Sequence, residues 1–231
     1  LDHEMWFPQV RSFKYNSILV YDLLGHGKTP LRKKTVKFED FSNQLNDLLK
    51  YLNINKINLV GFSFGSLVAL NFTKRFQKKV NKLVLISTVY KRNNLEKINV
   101  RDRYKKAKKN IPISNLALSR WLSSKFIKLN PKIKKYILKT LNKNKEDHLN
   151  FLKSYKLFSY FKDYTKDIKK IKTPSLILTG TKDKGSTVHM SQNLSNELIN
   201  SQFFKIKNAK HLCTIEYYSN VNMIIKKFLR T

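Results

Sequence analysis

Six glycines and five prolines are few for 231 residues, and neither gathers into a Gly/Ser-rich or Pro-rich stretch. A linker that divides the chain into separately folding halves is therefore not expected. The single cysteine, Cys213, excludes an intramolecular disulfide and cannot supply a thiolate metal site alone, so the fold has to stand on packing. No apolar run reaches the roughly eighteen residues of a membrane-spanning helix. No signal-like apolar stretch opens the sequence at Leu1, and with the lone thiol this makes the cytoplasm the expected location. Acidic residues are scarce as well: 15 Asp+Glu stand against 47 Lys+Arg, a formal net charge of +32.

A surplus of that size raises nucleic acid or an anionic membrane surface as a partner. The lysines, however, are spread over nearly every segment among many Asn and Ile residues, without a basic stripe interleaved with aromatics. We read them as a whole-sequence bias on a solvated surface that speeds encounter with anionic molecules, with no specific nucleic-acid partner. At 41% hydrophobic residues the chain can bury a sizeable core, and its length fits one catalytic domain.

What is present alternates. Apolar, β-branched runs recur at Ser17–Tyr21, Ile57–Val60, Leu83–Ser87, Ser175–Leu178 and Phe203–Ile206, separated by stretches of helical period. That pattern predicts an α/β fold with a mostly parallel sheet. Phe38, Phe41, Leu45, Leu48, Leu49 and Leu52 form one core-facing helical stripe, and Val221, Ile224, Ile225 and Phe228 another. Between Tyr90 and Lys172 the strand pattern stops and the chain becomes Lys-rich, aromatic and helical, with Ile133, Tyr136, Ile137 and Leu141 at helix spacing. We read residues 91–172 as a helical cap inserted between two parts of one core, 1–90 and 173–231, placed to roof the carboxyl end of the sheet.

Three constellations carry chemistry. Gly61-Phe62-Ser63-Phe64-Gly65 follows an apolar strand and opens a helix, the context in which a sharp turn lifts a serine hydroxyl clear of the sheet. The amide of Phe64 would then donate to a developing oxyanion. Such a G-x-S-x-G arises by chance in roughly one chain in ten of this length, so context has to decide. The scarce glycines fall in three places only, Gly25 with Gly27, Gly61 with Gly65, and Gly180 with Gly185, each at an expected turn. The strand Ser175–Leu178 ends in a turn that presents Asp183, and His211 follows the last strand. Ser63, Asp183, His211 is the order used by hydrolases with a nucleophile elbow. His211 would take the Ser63 proton and return it to the leaving group, while Asp183 orients the imidazole. Singly these residues read as a helix cap, a turn former and a packed histidine; the joint order favours a triad.

The residues resemble the α/β-hydrolase-fold superfamily, and within it the 3-oxoadipate enol-lactonase-like esterases and lactonases. Met5-Trp6-Phe7-Pro8-Gln9, Tyr21-Asp22-Leu23-Leu24-Gly25-His26-Gly27-Lys28-Thr29, the elbow, Pro174–Asp183 and His211 carry the likeness, with Ser119-Arg120-Trp121-Leu122 in the cap. The resemblance implies a parallel sheet with helices on both faces and a serine hydrolase of small carboxylic esters or lactones, with neither cofactor nor metal. An acyltransferase on the same triad and a catalytically inactive ligand-binding homologue are the alternatives. Arg120 and Trp121 are candidate substrate contacts, for a carboxylate and an apolar body respectively. The chain departs from the family pattern at Leu24, Ser66 and Lys210, where the family has Arg, Gly and Gly. The family's first strands and the loop that supplies the second oxyanion amide are expected upstream of Leu1. His26 is expected to be structural; His3, His148, His189 and Cys213 are expected to serve surface or packing.

Overall fold

The computed structural model of the chain describes residues 1–109, 111, 114–142, 145–162 and 165–230. A single turn of tight helix at His3–Trp6 leads into α1 (Phe7–Ser12), with Pro8 at its start, where a missing N–H costs nothing. After the turn around Gly25 and Gly27 come α2 (Phe38–Tyr51), β1 (Ile57–Phe62), α3 (Phe64–Arg75) and β2 (Val80–Ile86). The chain then leaves the sheet for α4 (Asn94–Lys108), α5 (Ser114–Trp121), α6 (Ser124–Leu129), α7 (Pro131–Leu141), α8 (Lys145–Tyr160) and α9 (Thr165–Ile168). It returns as β3 (Ser175–Gly180), α10 (Val188–Glu197), β4 (Ser201–Ile206), α11 (Cys213–Glu216) and α12 (Tyr218–Arg230).

The four strands pair in the order β1-β2-β3-β4, all parallel. Side chains of a strand alternate between faces, and here both faces are covered. Leu83, Leu85 and Ile177 pack under the stripe of α2 (Phe38, Phe41, Leu45, Leu49), with α3 and with Met190 and Leu194 of α10. Val84, Ile86, Leu176 and Leu178 pack on the other face against Val221, Ile225 and Phe228 of α12. Continuous apolar strands are what a sheet buried on both faces demands. A third cluster joins Leu118 and Leu122 of the α5 region and Ile137 of α7 to Met5, Leu212 and Ile215.

One expected strand is absent. Ser17–Tyr21 forms no sheet pairing among the described residues, and β1 pairs with β2 alone. A β-branched run records only fitness for a pleated surface; a strand exists when a neighbour accepts its hydrogen bonds, and none of the described strands pairs with this run. No described helix is long and apolar enough to cross a membrane.

Candidate active site

Ser63 sits between β1 and α3 with φ 52° and ψ −115°, a left-handed-side conformation that a non-glycine residue adopts only when its surroundings impose it. Three contacts do so. The Ser63 N–H donates to the Ile86 carbonyl at 2.8 Å. Gly61 leaves room that no other residue could, since an added Cβ would lie 2.6 Å from the Gly65 oxygen. Ser66, buried in the first turn of α3, holds its hydroxyl 2.8 Å from the Gly61 carbonyl and 3.0 Å from that of Ile86. Gly65 itself meets nothing within 4 Å, so close packing is no reason for glycine there.

The turn after β3 and the loop after β4 are tied together by backbone bonds: Thr181 N–H to Ile206 O at 3.0 Å and Lys182 N–H to Ala209 O at 2.8 Å. Gly180 permits this approach, because a Cβ there would come within 2.6 Å of the Lys210 oxygen. These ties bring Asp183 to His211. The Asp183 Oδ2 lies 2.7 Å from Nδ1 of His211, and His211 Nε2 lies 2.9 Å from Oγ of Ser63. Asp183 Oδ1 accepts from the N–H groups of Gly185 at 2.8 Å and Ser186 at 3.0 Å. Burial opposes ionisation of Asp183, but the adjacent His211 and these two amides outweigh it and hold the carboxyl below the usual range.

The His211 loop is also fastened to the helices between β2 and β3. Lys210 reaches the last carbonyls of the α5 region, donating to Ser119 O at 2.6 Å and Leu122 O at 3.1 Å, and Leu212 N–H donates to Trp121 O at 3.0 Å. An ammonium is well placed at a helix C-terminus. Buried Ser87, at φ 51°, donates its hydroxyl to the His211 carbonyl at 3.1 Å. The imidazole lies against the rings of Phe62 and Trp121, at centroid distances of 5.0 and 6.2 Å. Neighbouring Cys213 is fully buried, which pushes its thiol up to about 12.

Ser63 and His211 open onto a cavity of about 920 Å³ that Phe62, Phe64, Trp121, Phe158 and Arg120 help to line. The same cavity runs along the unpaired edge of β1 and the Ser17–Tyr21 run. The profile of the alpha/beta hydrolase fold matches residues 2–216. The chain belongs to the alpha/beta hydrolase fold family. This family member is 25% identical over 234 residues to an (E)-2-((N-methylformamido)methylene)succinate hydrolase of Acinetobacter baylyi, covering 99% of the chain and 86% of that protein. It is 24% identical to 3-oxoadipate enol-lactonase 1 of the same organism, over 100% of the chain and 85% of the relative. Among solved structures, the enol-lactonase of Burkholderia xenovorans superposes with a TM-score of 0.88 at 22% identity, over 100% of the chain and 87% of that structure. A thermophilic esterase from Thermogutta terrifontis superposes at 0.87 and 23% identity, over 100% and 86%.

In this alpha/beta hydrolase fold chain, the residues singled out in the sequence fall in different shells. Ser63, Asp183 and His211 meet in one hydrogen-bonded line. Trp121 stands beside His211, and Arg120 leans over the Asp183 turn, where its guanidinium lies 3.1 Å from where a Gly185 Cβ would be. His26 forms part of the cavity wall, its ring 6.1 Å from that of Phe64 and its Nδ1 3.1 Å from Leu24 O. Sequence reading gave no role to Ser66, Ser87 or Lys210. Ser66 and Lys210 were visible as departures from the family pattern, but their partners are distant in the chain and carry no local signal.

Proposed function

We propose that the chain is a serine hydrolase that cleaves a small carboxylic ester or lactone through an acyl-enzyme. The observation that carries this reading is the line Asp183–His211–Ser63, 2.7 and 2.9 Å between its members, opening onto a cavity. The names of its relatives, a hydrolase of a succinate derivative, enol-lactonases and esterases, support the same class.

In this reading His211 Nε2 removes the Ser63 proton as Oγ attacks the ester carbonyl, and Asp183 stabilises the imidazolium that results. The Phe64 N–H, one of the amides a helix start leaves without an intrahelical partner, donates to the oxyanion. His211 then gives its proton to the leaving alkoxide, and water repeats the sequence to release the acid and restore the serine. Neither cofactor nor metal enters. Residues 91–172 act as the cap and residues 1–90 with 173–231 as the core; Trp121 offers an apolar wall to the substrate and Arg120 a cationic one.

Labelling by a fluorophosphonate, read by intact mass, tests the reading. One adduct per chain that disappears in Ser63→Ala and in His211→Ala is expected. A folded protein that takes no adduct would overturn it.

A further inference from the structure

The helical segment carries a charged surface that the triad does not use. Residues 103–145 contain fourteen Lys and Arg and no Asp or Glu. Residues 48–95 are equally free of acids, but there several cations are engaged: Lys74 with Asp167, Lys91 with Glu197, Lys79 with Asn46 Oδ1 at 2.9 Å and Lys82 with Phe228 O at 2.8 Å. Lys125, Lys128, Lys132, Lys134, Lys135 and Lys139 of α6 and α7 differ. All six are exposed, and none makes a hydrogen bond or an ion pair among the described residues.

Helical period sorts these side chains. On α7, Lys132, Lys135 and Lys139 stand three and four residues apart in one stripe, while Ile133, Ile137 and Leu141 turn to the other side and pack into the third apolar cluster. On α6, Lys125, Lys128 and Leu129 share a face, and Phe126 and Ile127 turn to the same cluster. Both helices bury their inner sides on one cluster, so their outer sides form one surface. Acids meet the two helices from the inner side: the Tyr136 hydroxyl donates to Asp2 Oδ1 at 2.6 Å, and the Ser123 N–H donates to Glu216 Oε2 at 3.0 Å. Leu129 ends α6 among the lysines, 67% exposed.

Unpaired like charges repel one another, and an anionic partner relieves that repulsion. Nucleic acid is read by arginine forks and by aromatic faces on which bases stack. α6 and α7 hold no arginine, and their rings, Phe126 and Tyr136, pack inward. Lysines around a protruding aliphatic side chain suit the diffuse charge and the shallow apolar layer of an anionic lipid surface. We propose that the outer face of α6 and α7 docks on an anionic lipid bilayer, the lysines facing lipid phosphates and Leu129 entering the headgroup layer. The attachment is peripheral and does not depend on the hydrolase reading. Leu116 and Trp121 of α5, which packs on α7, line the cavity, so a docked chain holds that cavity near the lipid–water interface.

Co-sedimentation of the full chain with vesicles tests the docking, using phosphatidylcholine alone and mixed with phosphatidylglycerol at about 0.1 M salt. Binding is expected with the mixed vesicles only and should weaken as salt rises. Lys132→Gln, Lys135→Gln and Lys139→Gln together should lower the partition coefficient about 100-fold, at roughly fivefold per lysine. Lys50→Gln, Lys78→Gln and Lys207→Gln remove the same charge from exposed positions of the core and should lower it less than about threefold. Leu129→Ser should lower it about tenfold. No preference for the mixed vesicles would overturn the proposal. Equal losses in the two triple variants would do the same, by making the attraction a property of net charge. So would duplex DNA bound through the α7 lysines more tightly than vesicles, with Leu129→Ser affecting neither; that result would assign the surface to nucleic acid.

Discussion

The sheet core and the helices between β2 and β3 use similar side chains to different ends. Leu83–Ile86 and Leu176–Leu178 are fully buried, each 0% exposed, whereas Leu95, Ile98, Leu129 and Leu149 of the helical segment are 65%, 53%, 67% and 53% exposed. More than half of the 47 Lys and Arg residues lie in the roughly one third of the chain between residues 91 and 172. The basic residues are therefore less evenly spread than the sequence suggested. The core is a close-packed frame in which backbone position is dictated, and the helical segment is a more charged layer joined to it through the apolar clusters around Ile168 and Leu122 and through hydrogen bonds that include those around His211. Local opening should follow the same division, easiest where buried apolar contact is least.

The largest effects are expected from removing the residues that the frame positions. Ser63→Ala or His211→Ala is expected to lower kcat/KM for a responsive ester by about 10⁴-fold or more, and Asp183→Asn by about 10⁴-fold, while near-UV circular dichroism stays native. Ser63→Gly should be equally inactive yet raise the melting temperature, since a strained φ of 52° costs a non-glycine residue about 1 kcal/mol. A melting temperature that falls would mean the elbow is not strained.

Next in size come the glycines of the frame. Gly61→Ala and Gly180→Ala force a Cβ against backbone oxygen or carbon and are expected to cost about 2 kcal/mol or more in urea melts. Gly65→Ala, with open space around it, should cost less than about 1 kcal/mol. Equal losses at all three positions would refute the steric account.

Smaller effects probe the junction of the two regions. Lys210→Ala, which frees the α5 carbonyls from the His211 loop, is expected to lower kcat several-fold and stability by about 1 kcal/mol, with little effect on KM. Acid should act through Asp183, whose pKa in the folded state is lowered from 3.8. A lowered folded-state pKa adds stability that is present above the unfolded value and lost as pH falls through the folded one. Asp183→Asn should therefore be less stable than the parent at neutral pH on that account, with the difference closing as pH falls below about 4. Cys213, its thiol pushed up to about 12 by burial, should resist iodoacetamide at pH 8 until the chain unfolds.

Much of the architecture was legible because it depends on local pattern. The stripes of α2 and α12 announce themselves by helical spacing, and four of the five apolar runs expected as strands are strands. The fifth, Ser17–Tyr21, misled because its β-branched residues record preference without a partner. The elements that present Ser63, Asp183 and His211 could be read as turns after strands, and their order pointed to the chemistry proposed here. Ser87 and Lys210 could not be found that way, because the carbonyls they hold lie far along the chain.

The alternation of strand and helix, the faces to be buried and the three turns where rare glycines gather each follow from propensity and period over a few residues, and so can be read along the chain. That His211 Nε2 lies 2.9 Å from Ser63 Oγ across 148 positions of chain is a property of the packed molecule. So is the reach of Lys210 to the end of α5. Such distances are set by how closely β1, β3 and β4 pack and by which helices cover them, and no stretch of local pattern encodes that sum.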